Sequence, residues 1–245
     1  MSRGHVLPSP LPLIGLAHGS RDPRAAQTIG EVMRAVEALR PGLVARPAFL
    51  DLSEPDLTTV VHQLRSECDV RAAVVLPLLF TEAFHATIDA PTAVAQAELN
   101  CGVDLRLGEI LGMGDEVLEV LEASAAQAHI GAHEAVLLLA VGSSREEANL
   151  AVHDLAYRWS QRRVGPVWAG FATTGEPSAS TVLARALAKQ HRIGVVPLFV
   201  APGLLLDAVR REAMAIDAEV APPLGTALAE LVLQRYDEAR AAAHA

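Results

Sequence analysis

Leu13-Ile14-Gly15-Leu16-Ala17-His18-Gly19-Ser20-Arg21 is an apolar run that ends by delivering a histidine onto a glycine-containing loop. A second run, Val74-Val75-Leu76-Pro77-Leu78-Leu79-Phe80, leads on to Glu82 and His85. Uninterrupted apolar runs of this length, bounded by Gly or Pro, predict strands buried on both faces, as in parallel sheets. Such sheets place their ligands in the loops beyond the C-terminal ends of the strands. The two histidines, 67 positions apart in the chain, are therefore expected side by side at one sheet edge.

Working outward from the first run, Asp22-Pro23 reads as an N-cap followed by proline at the first helical position. Ile29, Val32, Met33, Val36 and Leu39 then share one helical face, and Pro41-Gly42 stops the helix. Residues 44–50 predict a second strand, ending in the loop Asp51-Leu52-Ser53-Glu54-Pro55. Leu57, Val60, Val61 and Leu64 mark a second amphipathic helix, and residues 72–79 a third strand. A helix over 89–99, a strand over 103–107 and a helix over 115–128 complete the series. Repeated βα units predict an α/β, flavodoxin-like domain with a four-stranded parallel sheet flanked by helices.

The pattern then restarts. Leu137-Leu138-Leu139-Ala140-Val141-Gly142-Ser143-Ser144-Arg145 echoes the opening run, with Val141 where His18 stood. Ser143 and Glu146 have the spacing of a capping box. Residues 171–177, with Glu176-Pro177, echo 49–55, and the run 194–200 echoes the third strand. Leu205 falls where His85 would, and Leu224-Gly225 answers Leu111-Gly112. The four offsets are 123, 122, 120 and 113, in order and drifting as short insertions and deletions would make them. Two similar domains related by internal duplication are expected, over residues 1–130 and 131–245. Both histidines are apolar in the second copy, so the first domain should carry the active site and the second should be degenerate. A dimer of the single unit would hold two equivalent sites; this chain should keep one, and a monomer is expected.

Composition narrows the classes. Half of the 245 residues are hydrophobic (51%) and 20% are charged, ample for a core. The apolar runs are too short to span a bilayer, and residues 1–12 lack the apolar stretch of a signal peptide, so no membrane partner is expected. Cys68 and Cys101 have no metal-binding spacing, which fits a reduced, cytoplasmic setting. The net charge of −9 and the absence of a basic cluster argue against nucleic acid. Of 20 basic residues only Lys189 is a lysine, so arginine must hold any carboxylates a ligand carries.

No P-loop, GxGxxG or GxSxG motif occurs. Ser20 follows His18 on one tight loop, an order in which the histidine cannot readily turn back to activate the hydroxyl. Two neutral imidazoles are good ligands for Fe²⁺, Co²⁺, Ni²⁺ or Zn²⁺. Glu54, Glu82 and Asp89 are candidate carboxylate helpers, although each would serve equally as a helix cap or a solvated charge. His5, His62, His129, His133, His153, His191 and His244 fall in the tail, on helix surfaces or near the junction, and read as structural or solvated.

Jointly, His18-Gly19-Ser20-Arg21-Asp22-Pro23-Arg24, Phe49-Leu50-Asp51 with Glu54-Pro55, and Pro77-Leu78-Leu79-Phe80 with His85 resemble the sirohydrochlorin chelatases. These are class II, ATP-independent lyases that insert cobalt or ferrous iron into a tetrapyrrole of siroheme or cobalamin biosynthesis. The resemblance covers most of the first half in detail and the second as a degenerate copy, like the family's long, two-domain form. It implies His18 and His85 as metal ligands and catalytic residues, with Glu54 as a catalytic helper. It implies no permanently bound cofactor, a divalent metal as substrate, and sirohydrochlorin, an acidic tetrapyrrole, as partner. Arg21, Arg24, Arg46, Arg106 and Arg145 are the arginines expected to meet its carboxylates. A non-catalytic metal or tetrapyrrole carrier would use the same ligands. The C-terminal residues 239–245 hold only His244, which inclines the reading towards iron.

Overall fold

Strands and helices alternate along the whole of the computed structural model, which describes residues 10–81 and 88–242. The first half contains β1 (Leu13–Ala17), α1 (Pro23–Leu39), β2 (Ala45–Phe49), α2 (Leu57–Cys68) and β3 (Ala72–Pro77). It continues with α3 (Ala90–Cys101), β4 (Asp104–Leu107) and α4 (Asp115–Gln127). The second half contains β5 (Ala135–Ala140), α5 (Glu146–Ser160), β6 (Val167–Phe171), α6 (Ala179–Ala188) and β7 (Ile193–Pro197). It ends with α7 (Leu204–Met214), β8 (Glu219–Val220), a 3₁₀ turn (Gly225–Leu228) and α8 (Ala229–Ala242).

Among the described residues the strands form two four-stranded sheets, ordered β2-β1-β3-β4 and β6-β5-β7-β8. Every pairing is parallel. The same order in both halves bears out the expected duplicated α/β architecture.

Each sheet is buried on two faces, which is why its strands read as unbroken apolar runs. Along β1, Leu13 and Ala17 enter a core shared by both halves, whereas Ile14 and Leu16 point to a separate core under α2 and α3. Along β5, Val136, Leu138 and Ala140 face the shared core, and Ala135, Leu137 and Leu139 face α6 and α7. The strict alternation is the period-two pleat of a strand.

The last helix of each half crosses over. The C-terminal helix α8 packs on α1, β3 and β4 of the first half, and α4 packs on β7 of the second. Tyr236 on α8 is fully buried, and its hydroxyl donates to the Leu11 carbonyl at 2.6 Å. Burial pushes the Tyr236 phenol up from its ordinary range. An Arg40–Asp237 ion pair fixes the same helix at the C-terminal end of α1.

The N-terminus of α1 forms as its sequence predicts: Asp22 accepts from the Arg24 amide at 3.0 Å, and Pro23 occupies the first turn. The expected capping box at α5 does not form. That helix starts at Glu146 with Arg145 as N-cap, so Ser143 lies too far upstream and its hydroxyl accepts from the Arg145 amide at 3.1 Å instead.

Candidate metal centre

His18 follows β1 directly, at the C-terminal edge of the first sheet, where it is half-buried with its Nδ1 buried. Its carbonyl accepts from the Asp51 amide at 3.0 Å, joining the loop after β1 to the loop after β2. Gly19 makes that approach feasible. It has φ of +96°, and a Cβ there would run into the Asp51 carbonyl oxygen. Ser53 completes the tie, accepting from the Ser20 amide at 3.0 Å and donating to the Ser20 carbonyl at 2.9 Å. Glu54, the next residue, is exposed on the loop thus fastened to His18. The Ser20 hydroxyl accepts from the Asp22 amide at 3.1 Å, a turn-stabilising role and not that of a nucleophile.

The neighbouring strand on the other side of β1 is β3. Leu16 pairs with Pro77, and the Leu78 amide donates to the Leu16 carbonyl at 2.8 Å. The chain that leads to the second expected ligand thus departs from the strand beside β1. His85 itself, with Glu82, lies outside the described residues. Asp89 stands at the start of α3, where its carboxylate makes no cap hydrogen bond. Among the described residues no group of three or more His, Cys, Asp or Glu side chains is placed to hold a metal ion.

Only part of the expected arginine rim reaches this edge. Arg21 is exposed on the β1–α1 loop, and Arg145 starts α5 at the equivalent place in the second half. Arg46 pairs in register with Ile14, four residues before His18, and bonds Glu37 at 2.9 Å. At about 3.3 Å per residue it lies roughly 13 Å back along the strand. Arg106 is opposite Val74, which pairs with Leu13, and so lies farther back still, beside Asp104. The strand register thus keeps both from the His18 edge. Arg24 does reach the edge, but Asp22 and Asp207 already match its charge. Its hydrogen bonds to these two carboxylates push the guanidinium up, and the Arg24 guanidinium holds the Asp22 carboxyl below its usual range.

The second half repeats the backbone of the β1–α1 loop with an apolar residue in place of His18. Gly142 has φ of +94°, and a Cβ there would run into the Thr174 carbonyl. The Val141 carbonyl accepts from the Thr173 amide at 2.9 Å, as His18 does from Asp51. Val141 follows β5 as His18 follows β1 and is 43% exposed; Leu205, matched to His85 by sequence spacing, lies in the first turn of α7 and is 40% exposed. Neither side chain has a donor atom for a metal.

Sequence reasoning missed Ser53, Asn149 and Asp207. Ser53 had a local signal in its position beside Glu54. Asn149, which accepts from the Ser143 amide at 2.9 Å and donates to its carbonyl at 2.8 Å, takes the part of Ser53 from a different element. Asp207 gave no signal, because its partner is 183 positions away. A groove of about 360 Å³ between α4 and residues 222–234 shares no residue with the loops that follow β1, β2 and β3.

A family model described as CbiX matches the chain twice, over residues 12–128 and 135–239. No curated protein matches it by sequence. Among solved structures, SirB from Bacillus subtilis with Fe³⁺ superposes with a TM-score of 0.82 at 21% identity, covering 96% of this chain and 97% of that one. The sirohydrochlorin chelatase SirB from Bacillus subtilis subspecies spizizenii, in complex with cobalt, gives 0.76 at 21% identity, covering 94% and 95%. CbiX, described as the terminal enzyme for siroheme biosynthesis in denitrifying bacteria, gives 0.64 at 20% identity, covering 95% and 99%. At these identities the structures share a fold.

Proposed function

The chain belongs to the CbiX family, and from that premise we propose that it is a sirohydrochlorin chelatase, a lyase that inserts Fe²⁺ or Co²⁺ into the tetrapyrrole without ATP. The observation that carries this reading is the asymmetry between the halves. The same strand-end loop offers His18, tied through Ser53 to the Glu54 loop, in one half and Val141 in the other. His18 and His85 bind the divalent metal as substrate, and the metal requires both imidazoles neutral.

Insertion exchanges one M²⁺ for the two protons of the pyrrole N–H groups, so charge balances and a proton acceptor is needed. Glu54 stands on the loop that Ser53 ties to the His18 loop, and it accepts those protons and passes them to water. Arg21 and Arg145 meet substrate carboxylates at the rim. No cofactor stays bound.

The protein acts as a monomer in the cytoplasm, a setting consistent with its two free cysteines. Among the described residues no helix is long and apolar enough to cross a membrane. The test is anaerobic absorbance with sirohydrochlorin and Fe²⁺, Co²⁺ or Ni²⁺ in turn. Turnover with Fe²⁺ or Co²⁺ supports the proposal; uptake that stops at one equivalent marks a carrier and contradicts it.

A further inference from the structure

Arg24 and Asp207 meet across the two halves of the molecule, at the start of α1 and in the first turn of α7. The guanidinium is anchored on its own side first. Its Nε donates to both Asp22 carboxylate oxygens, at 3.0 and 3.1 Å. Asp22 is 8% exposed, and it and Ser124 are the buried polar residues among those described. From that anchor the guanidinium reaches out to Asp207, whose side chain is 26% exposed.

The bond joins the start of α1, just after the His18 loop, to the first turn of α7. Four residues before Asp22 stands His18, held through the Ser20–Ser53 tie. Three residues before Asp207 stands Leu204, which with Leu205 forms an exposed apolar lip at 71% and 40% exposure. The far end of α1 is also held, by the Arg40–Asp237 ion pair, so α1 is fixed to the second half's elements at both ends.

We propose that Arg24 is a positioning residue: by bridging Asp22 and Asp207 it sets the separation between the His18 loop and the apolar lip of α7. The flat tetrapyrrole lies between these two surfaces, so the inference rests on the chelatase reading above. Its carboxylates meet other arginines, because Arg24 is already engaged by two carboxylates of the protein.

The test pairs a distance with a kinetic measurement, in the full chain. Spin labels are placed on the native, exposed Cys68 and on an Arg211→Cys substitution in α7; Cys101 is buried. The parent should give one narrow distance distribution. Asp207→Asn and Arg24→Gln should broaden or shift it, and Asp207→Glu should restore it. In insertion assays Asp207→Asn should raise KM for the tetrapyrrole about three- to fivefold, the scale of a partly exposed charged pair. The kcat should stay within about twofold, and Co²⁺ binding without tetrapyrrole should be unchanged, because the ligands are in the first half. An unchanged distance distribution in both variants overturns the positioning role. A broadened distribution with unchanged KM in an active enzyme overturns its link to the substrate. A parent protein that inserts no metal overturns the proposed function, and the distance measurement still decides for or against the bridge.

Discussion

After β1 the chain runs His18-Gly19-Ser20; after β5 it runs Val141-Gly142-Ser143. Both glycines sit at positive φ, both serine hydroxyls accept from the amide two residues on, and both loops are fastened to the next strand's loop. What differs is the source of the side chain that satisfies the serine backbone. In the first half it is Ser53, the neighbour of Glu54. In the second it is Asn149 on α5. The first arrangement fixes the histidine loop against the loop carrying the carboxylate; the second fixes its loop against its own helix. A duplicated scaffold can thus keep the same loop geometry while the residue before the glycine changes, because the glycine and the serine answer to the local backbone packing.

The largest expected effect breaks the comparison at His18. His18→Ala should lower metal insertion by about 10² or more, the scale of a positioned acid–base group. Val141→Ala should leave the rate unchanged. Initial rates by absorbance under anaerobic conditions check both.

Next in size is a pair that should behave alike. Gly19→Ala and Gly142→Ala each force a Cβ against a carbonyl at positive φ, and each should destabilise by about 1–3 kcal/mol in urea unfolding. Their effects should part only in metal binding, which Gly19→Ala should weaken and Gly142→Ala should leave intact.

Most of the architecture was legible because both sheets are covered on two faces, so their strands stand out as apolar runs between polar helices. Asp22-Pro23 announced α1, and the match of Val141-Gly142-Ser143 to His18-Gly19-Ser20 announced the second sheet. The exchange of α4 and α8 was not legible. An amphipathic helix shows that it has a buried face but not which sheet it covers, and Tyr236 meets Leu11 across 225 positions. The arginine rim misled for a related reason. Composition shows how many arginines there are, but strand register sets Arg46 and Arg106 back from the edge, and Asp207 engages Arg24. The capping box at Ser143 and Glu146 gave way because Asn149 holds the Ser143 backbone and the helix begins later.

The exchanged helix supplies a third, smaller test. Tyr236→Phe leaves the Leu11 carbonyl without its donor and should cost about 1–3 kcal/mol. Hydrogen exchange should show the lost protection in β3 and β4 of the first half, not in β7, because α8 packs there.

The smallest effect concerns Asp22. Arg24 holds its carboxyl below the usual range, so the stabilisation it contributes is fully present above about pH 4 and is lost as pH falls through the depressed folded value. Urea midpoints of wild type and Asp22→Asn should therefore differ at pH 7 and converge towards pH 2.

One metal centre per chain, built in the first half alone, is the claim on which the comparison turns. Calorimetric titration with Co²⁺ tests it without any tetrapyrrole. Wild type should saturate at one ion per chain, His18→Ala should lose that binding, and His62→Ala should match wild type. Two equivalent ions per chain, or undiminished binding in His18→Ala, would contradict it.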